Sequence, residues 1–200
     1  FETLRSAHTN HPTLEVPIRG ACELESEVES WDLPDSATMR ILRNWYYLPV
    51  LEFTSLKRFD GTAADIAQGL GLALESVEVA LKELRDFGLV EKKVDGLWRK
   101  TSKKLRWSSS VPSQEIGQFH KNMMEKAKDH LSSKKQSDYE KRLITGVTLT
   151  VSPSKVNYAK SRINEFLHQL SNDLIEEDDP NAQVYHLASQ FFPVSHDDQD

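Results

Sequence analysis

The chain has almost no cysteine, and its apolar runs are short. Cys22 is the single cysteine in 200 residues, so the fold cannot depend on an internal disulfide bond. No apolar run approaches the roughly 18 residues that a membrane-spanning helix needs. We therefore expect a cytoplasmic protein that does not enter a membrane, with a chain long enough to bury a hydrophobic core.

The sequence also lacks the short motifs that carry common enzyme chemistry. It contains no Gly-rich phosphate loop, no nucleophile elbow and no cysteine–histidine pattern. His8 and His11 have a spacing that would suit one face of a helix, but no group of cysteines or carboxylates completes a zinc site around them. We expect neither an enzyme nor a bound metal or other cofactor.

The negative charge of the chain is unevenly distributed. The formal net charge is −6, and residues 1–35 carry −6, residues 108–200 carry −4 and residues 36–107 carry +4. A negative total opposes nucleic-acid binding, but a local basic segment can still bind phosphate groups. A nucleic-acid interface is therefore expected only in the middle of the chain.

Residues 1–35 are acidic and poor in large apolar side chains. The alternation of glutamate with other residues from Glu23 to Glu29 could mark an exposed strand, but a segment with so little to bury is more typical of a linker or an arm lying on another part of the molecule. We predict an acidic linker or arm over residues 1–35 and a disordered tail over residues 196–200.

From Ser36 onward, apolar residues recur at helical spacing, and Pro49 is expected to kink or divide the helix. Trp45, Tyr46 and Tyr47 lie on this helix. They could form a platform on which nucleic-acid bases stack. The simpler interpretation, which we favour, is that these aromatic rings belong to the core.

The segment from Thr62 to Arg106 has the order of a winged helix-turn-helix. Thr62 and Asp65 resemble a capping box at the start of a short helix that ends at Gly71, and a second helix is predicted from Leu74 to Phe87. Beyond it, two extended runs are joined at Asp95-Gly96, which suits a two-residue hairpin turn. Residues 36–107 are therefore predicted to form a winged-helix domain.

A polar, serine-rich break at Ser108 marks the predicted start of a second domain, over residues 108–195. Its pattern predicts helix, strand, helix, strand, with the strands at Leu143–Val151 and Gln183–Val194. The predicted fold class is thus α+β, a winged helix-turn-helix followed by a small α/β domain. Because two strands make a marginal sheet, we expect a second subunit to extend it and a homodimer to form.

Three stretches also resemble an uncharacterised bacterial family. They are Asn44–Glu52 (NWYYLPVLE), Gly146–Leu149 (GVTL) and Phe191–Val194 (FFPV), and together with the helix-turn-helix they extend the resemblance over about residues 36–195. Members of that family occur in large paralogous sets and are usually described as transcriptional regulators with a C-terminal domain of unknown function. The resemblance implies the winged-helix fold and a regulatory role.

Two functions remain open for the winged helix. In a regulator that binds duplex DNA, the second helix would present its outward residues to the bases and the basic wing would contact phosphates; the expected DNA-binding residues are Ser76, Val79, Lys82, Lys92, Lys93, Arg99 and Lys100. Glu75 and Glu78 oppose this, because two carboxylates repel phosphate groups. They favour the alternative, a protein-interaction adaptor that binds a protein partner through an acidic helix.

Overall fold

The computed structural model describes residues 30–32, 35–101, 104–106, 114–174 and 179–195. Within them the protein is a mixed α+β structure dominated by helices. The helices are α1 Asp35–Arg43, α2 Tyr47–Phe53, α3 Ala63–Leu70, α4 Leu74–Asp86, α5 Gln114–Ser132, α6 Gln136–Glu140 and α7 Val156–Asp173. The strands are β1 Ser30–Asp32, β2 Val90–Lys92, β3 Trp98–Lys100 and β4 Lys104–Arg106.

The break between α1 and α2 lies at residues 44–46, before Pro49 rather than at it. Pro49 occupies the first turn of α2, where a backbone N–H would have no partner within the helix, so proline costs little there. Tyr47 is 2% exposed, whereas Trp45 and Tyr46 are partly buried. The interpretation of these aromatic residues as core is thus correct for Tyr47.

Helices α3 and α4 begin and end where the sequence predicts. The hydroxyl of Thr62 accepts a hydrogen bond from the Asp65 backbone N–H at 3.1 Å, and Gly71 has the left-handed conformation that ends α3. The four residues of α4 predicted to point inward, Val77, Ala80, Leu81 and Leu84, are fully buried. These two helices pack against each other and against α2.

Strands β2 and β3 form an antiparallel hairpin in which Lys92 pairs with Trp98. The predicted two-residue turn is wrong. Lys93 N–H donates to Leu97 O and Gly96 N–H donates to Lys93 O, so the loop has three residues. Gly96 adopts a φ of 82°, and glycine in the left-handed region is what a three-residue hairpin loop requires.

Near its end, the acidic N-terminal segment contains a strand that lies against another part of the molecule. Residues 30–32 form β1, which pairs in parallel with β4. Its ladder partner lies more than seventy residues away in the sequence, so alternation alone could not establish the pairing. Residues 1–29, the polar break at residues 108–113 and the tail at residues 196–200 lie outside the described residues.

One hydrophobic core holds α1 to α4 and β2 together. Helix α5 packs along α1, and Val184 packs against the same core, so the two predicted domains touch. His186 lies with its ring centroid 6.0 Å from that of Phe119 on α5, and burial, followed by the nearby His120, lowers the pKa of His186. The C-terminal region is therefore joined to the core by α5 and by residues 184–186.

The two strands predicted in the C-terminal region are not formed in this chain. Residues 142–151 and 182–194 run without a helix, strand, turn or bend, and no described residue pairs with them as a strand. The predicted helix-strand-helix-strand domain is therefore wrong for the single chain. Alternating apolar residues favour a sheet, but a strand forms only where a neighbouring backbone supplies its hydrogen-bond partners.

Candidate nucleic-acid interface

The outward face of α4 is free of other helices. Glu75, Glu78 and Lys82 are exposed, Val79 is 52% exposed, and Ser76 is half-buried. This pattern follows from the inward packing of Val77, Ala80, Leu81 and Leu84, because residues three to four positions apart lie on the same face of a helix and those between them lie on the other faces. The face of α4 that was predicted to contact DNA bases is thus accessible, although Ser76 is less exposed than its neighbours.

The four cations predicted to contact phosphates lie on the β2–β3 hairpin, but three of them already have partners. Lys93 forms an ion pair with Glu91. Lys100 Nζ donates to both carboxylate oxygens of Glu52 at 2.8 Å. Because the Lys100 side chain is only 25% exposed, this pair chiefly joins β3 to α2.

Arg99 is also directed toward the protein. Its Nη1 donates to the Trp98 carbonyl at 2.7 Å, and its guanidinium carbon lies 5.7 Å from the centroid of the Phe59 ring. Lys92, in contrast, has its ammonium 5.5 Å from the centroid of the Trp98 ring and remains exposed. Of these four cations, Lys92 is the exposed one that has neither an ion pair nor a side-chain hydrogen bond among the described residues.

An open cleft of about 360 Å³ lies between the hairpin and α4. It is lined by Gly61, Thr62, Ala63, Glu78, Lys92, Gly96 and Trp98. A carboxylate from α4 and an ammonium from β2 therefore face the same space. Residues that the sequence places fourteen positions apart are brought together here by the hairpin folding back beside the start of α3.

Gly61 fixes the position of the hairpin against α3. Trp98 N–H donates to Gly61 O at 2.8 Å, and Gly61 has a φ of 91°. A Cβ at this position would lie 2.6 Å from the Leu97 Cβ, closer than real Cβ atoms approach. Only glycine accommodates both the conformation and the contact.

Sequence reasoning missed Glu52, Gly61 and Trp98 as parts of this region. Glu52 is 48 residues from Lys100, so no local pattern connects them. Trp98 could have been found from the sequence, because an aromatic residue just after the Asp95-Gly96 turn is expected to pack where the hairpin meets the core, and it does so. Lys103 lies outside the described residues, and only the backbone of Lys104 and Arg106 is described.

Beneath α4, Tyr47 is buried beside Glu83. Burial, followed by the charge of Glu83, raises the pKa of Tyr47 to about 12. Glu83 also forms an ion pair with Arg40 at 3.2 Å, so α4 is tied to α1 as well as to α2. The inner face of α4 is therefore fixed to both α1 and α2, and its outward face is left exposed.

The described parts of the chain contain no group of three or more histidine, cysteine or acidic residues arranged to hold a metal ion. Among the same residues, no helix combines the length and apolar character required to cross a membrane.

Residues 27–194 match the model of a family described as a domain of unknown function, DUF4423. No curated protein and no solved structure matches the chain. The matched region begins three residues before β1 and ends with residue 194, so it includes both the hairpin and the C-terminal segments. Because this match covers most of its length, the chain belongs to the DUF4423 family.

Proposed function

We propose that residues 36–107 form a winged helix-turn-helix that binds duplex DNA and that the protein is a transcriptional regulator. Helix α3, the turn at Gly71, helix α4 and the β2–β3 hairpin have the order of that module. In this proposal α4 enters the major groove and the hairpin is the wing, which contacts the sugar-phosphate backbone.

The observation that carries the proposal is the cleft in which the outward face of α4 meets the hairpin. A helix with an uncovered face beside a basic hairpin allows base contacts and phosphate contacts from one side of the molecule. Lys82 is exposed and makes no ion pair among the described residues, and the exposed Lys92 has its ammonium over the Trp98 ring. These two lysines are the primary phosphate ligands, because Lys93 and Lys100 would first have to leave their carboxylate partners.

The test measures binding of random duplex DNA to the full chain over a salt series. We expect binding at low salt that weakens steeply as salt rises, since bound cations are released from DNA. Removing both charges, Lys82→Gln with Lys92→Gln, should reduce the magnitude of the slope by about 2, one for each lost phosphate contact. The matched control removes two exposed lysines elsewhere, Lys121→Gln with Lys134→Gln, and should leave the slope unchanged. Absence of binding at low salt would overturn the proposal.

A second function is supported by the composition of the α4 face. Glu75 and Glu78 are exposed beside the half-exposed, apolar Val79. Carboxylates around an apolar residue suit a basic protein surface better than DNA. In this alternative, the module is a protein-interaction adaptor.

Reversing both carboxylates, Glu75→Lys with Glu78→Lys, separates the two functions. For a DNA-binding regulator, the reversal should strengthen binding of random duplex DNA at low salt, because it removes repulsion from phosphates. For an adaptor, the reversal should abolish capture of the protein partner. The unchanged chain of an adaptor should show no salt-sensitive binding of DNA. Reversal of Glu125 and Asp129 on α5 is the matched control.

A further inference from the structure

Helix α7 has an apolar stripe that the described residues cover only in part. None of its residues is buried, and Phe166 is 58% exposed and Leu174, at its end, is 65% exposed. The stripe recurs at helical spacing and consists of Ala159, Ile163, Phe166, Leu167, Leu170 and Leu174. All of these except Phe166 and Leu174 are partly buried. A helix of this length gains most of its stability from packing, so the exposed part of the stripe requires a partner.

The two segments that flank α7 have the same property. Val147 is 80% exposed in residues 142–151, and Phe192 is 67% exposed in residues 182–194. No backbone hydrogen bond links the stretches 143–151 and 183–194 to any described residue outside them. Their β-branched and aromatic residues favour strands, and unpaired strands present open edges to another chain.

The exposed apolar surface is large enough for a stable dimer. Twelve large apolar side chains of this region are exposed, namely Leu143, Ile144, Val147, Leu149, Tyr158, Phe166, Leu174, Tyr185, Leu187, Phe191, Phe192 and Val194. At about 100 Å² for each, two copies would bury on the order of 2,000 Å², which is the size of an obligate homodimer interface.

The charges along α7 favour a second copy of the same chain in the opposite direction. Lys155, Lys160 and Arg162 lie at the start of α7 or just before it, whereas the acidic residues of α7, Glu165 and Asp173, follow them. Glu165 pairs with Arg162 of the same helix. An antiparallel pair places each basic half beside the acidic half of the other copy, whereas a parallel pair would place like charges together. The helix is therefore complementary to itself in one orientation.

We propose that residues 142–194 form an isologous interface with a second copy of this chain, in which two α7 helices pack antiparallel near Phe166. The second copy also supplies the backbone partners that residues 142–151 and 182–194 lack. The interface is independent of whether the protein binds DNA, since it lies outside the cleft between α4 and the hairpin.

The first test measures the mass of the full chain by sedimentation, from 0.1 to 50 µM as rough limits of an ordinary homodimer equilibrium. We expect twice the monomer mass of 22.8 kDa. Phe166→Asp should weaken the dimer by at least about 100-fold, because it places two carboxylates at the axis. Val79→Asp makes the same change at a comparably exposed position on α4 and should leave the dimer intact. Circular dichroism of Phe166→Asp should retain the helical signal, since this side chain is not in the core.

A monomer throughout the concentration range would overturn the proposal, as would a Phe166→Asp dimer as stable as that of the unchanged chain. Orientation is tested by disulfide formation in a Cys22→Ser background. Ala159 and Leu174 are equally distant from the centre of the stripe, so Ala159→Cys chains should crosslink to Leu174→Cys chains of a different mass. Crosslinking of each variant only to its own kind would show a parallel pair and contradict the antiparallel arrangement.

Discussion

The region from Thr38 to Thr101 and the region from Gln114 to Ser195 differ in how much apolar surface they bury. The first contains a continuous core of side chains that are almost fully enclosed, from Ile41 to Val90. Among the described residues of the second, Phe119 is the only buried hydrophobic one. Both regions have helices with clear apolar stripes. A stripe thus indicates which face can be covered, but the described residues cover it fully in the first region and only in part in the second.

The largest expected effect is the loss of stability when a residue at the centre of the first region's core is truncated. Leu81 is fully buried, so Leu81→Ala should lower the free energy of unfolding by about 2–5 kcal/mol through lost burial and a residual cavity. Urea unfolding followed by circular dichroism measures this loss. Leu74→Ala, the same change on the same helix at a residue that is 42% exposed, is the control and should cost less than about 1 kcal/mol. Equal losses would show that the region is not packed as described.

Gly61→Ala should destabilise the same region by about 2–3 kcal/mol, because alanine disfavours the left-handed conformation and its Cβ would meet Leu97. The loss should appear in thermal unfolding. Gly96→Ala is the matched control, since Gly96 also has a positive φ but has open space around it. A Gly61→Ala loss no greater than that of Gly96→Ala would mean that the hairpin is not held closely against residue 61.

The buried Tyr47 gives the first region a dependence on alkaline pH. Because its pKa is raised to about 12 in the folded protein from an ordinary value of 10.0, the neutral phenol stabilises the fold fully below pH 10. That contribution, on the order of 2 kcal/mol, should be lost as the pH rises from about 10 toward 12. Unfolding of the unchanged chain and of Tyr47→Phe should therefore differ in slope over this range. Equal slopes for the two proteins would mean that Tyr47 is not buried as described.

The smallest expected effect concerns the ion pair between Lys100 and Glu52. Because both groups keep contact with solvent, we expect the pair to contribute about 0.5–1 kcal/mol. A double-mutant cycle with Lys100→Met and Glu52→Gln measures the coupling free energy and should find it reduced by added salt. A coupling free energy of zero would mean that β3 is held to α2 by apolar contacts alone.

The sequence predicted local structure well where caps and turns control it. Thr62 with Asp65, Gly71 and the inward residues of α4 were all identified from short-range patterns, because helix ends and amphipathic faces depend on neighbours within a few residues. The three-residue hairpin loop was missed, since Asp-Gly is compatible with more than one loop length. The parallel pairing of β1 with β4 was missed because it joins distant parts of the chain.

For the candidate interface, the sequence identified which residues carry charge but not which charges are available. It placed Lys92, Lys93, Arg99 and Lys100 together on the hairpin, and the structure agrees. Only the fold decided that Lys100 meets Glu52 and that Arg99 lies over Phe59, because those partners lie about 40 to 50 residues earlier. The opposition of Glu78 and Lys92 across one cleft likewise required the hairpin to fold beside α3.

The sequence by itself determined helices α3, α4, α5 and α7, the buried face of α4, the left-handed glycines at the ends of α3 and α4 and the concentration of positive charge in residues 36–107. These features depend on side-chain chemistry and on spacing along the chain. Tertiary structure alone decided which cations are paired, and that residues 142–151 and 182–194 find no strand partner among the residues that the structure describes. Pairing of charges and strands depends on the three-dimensional position of a second group, which periodicity along the chain does not contain.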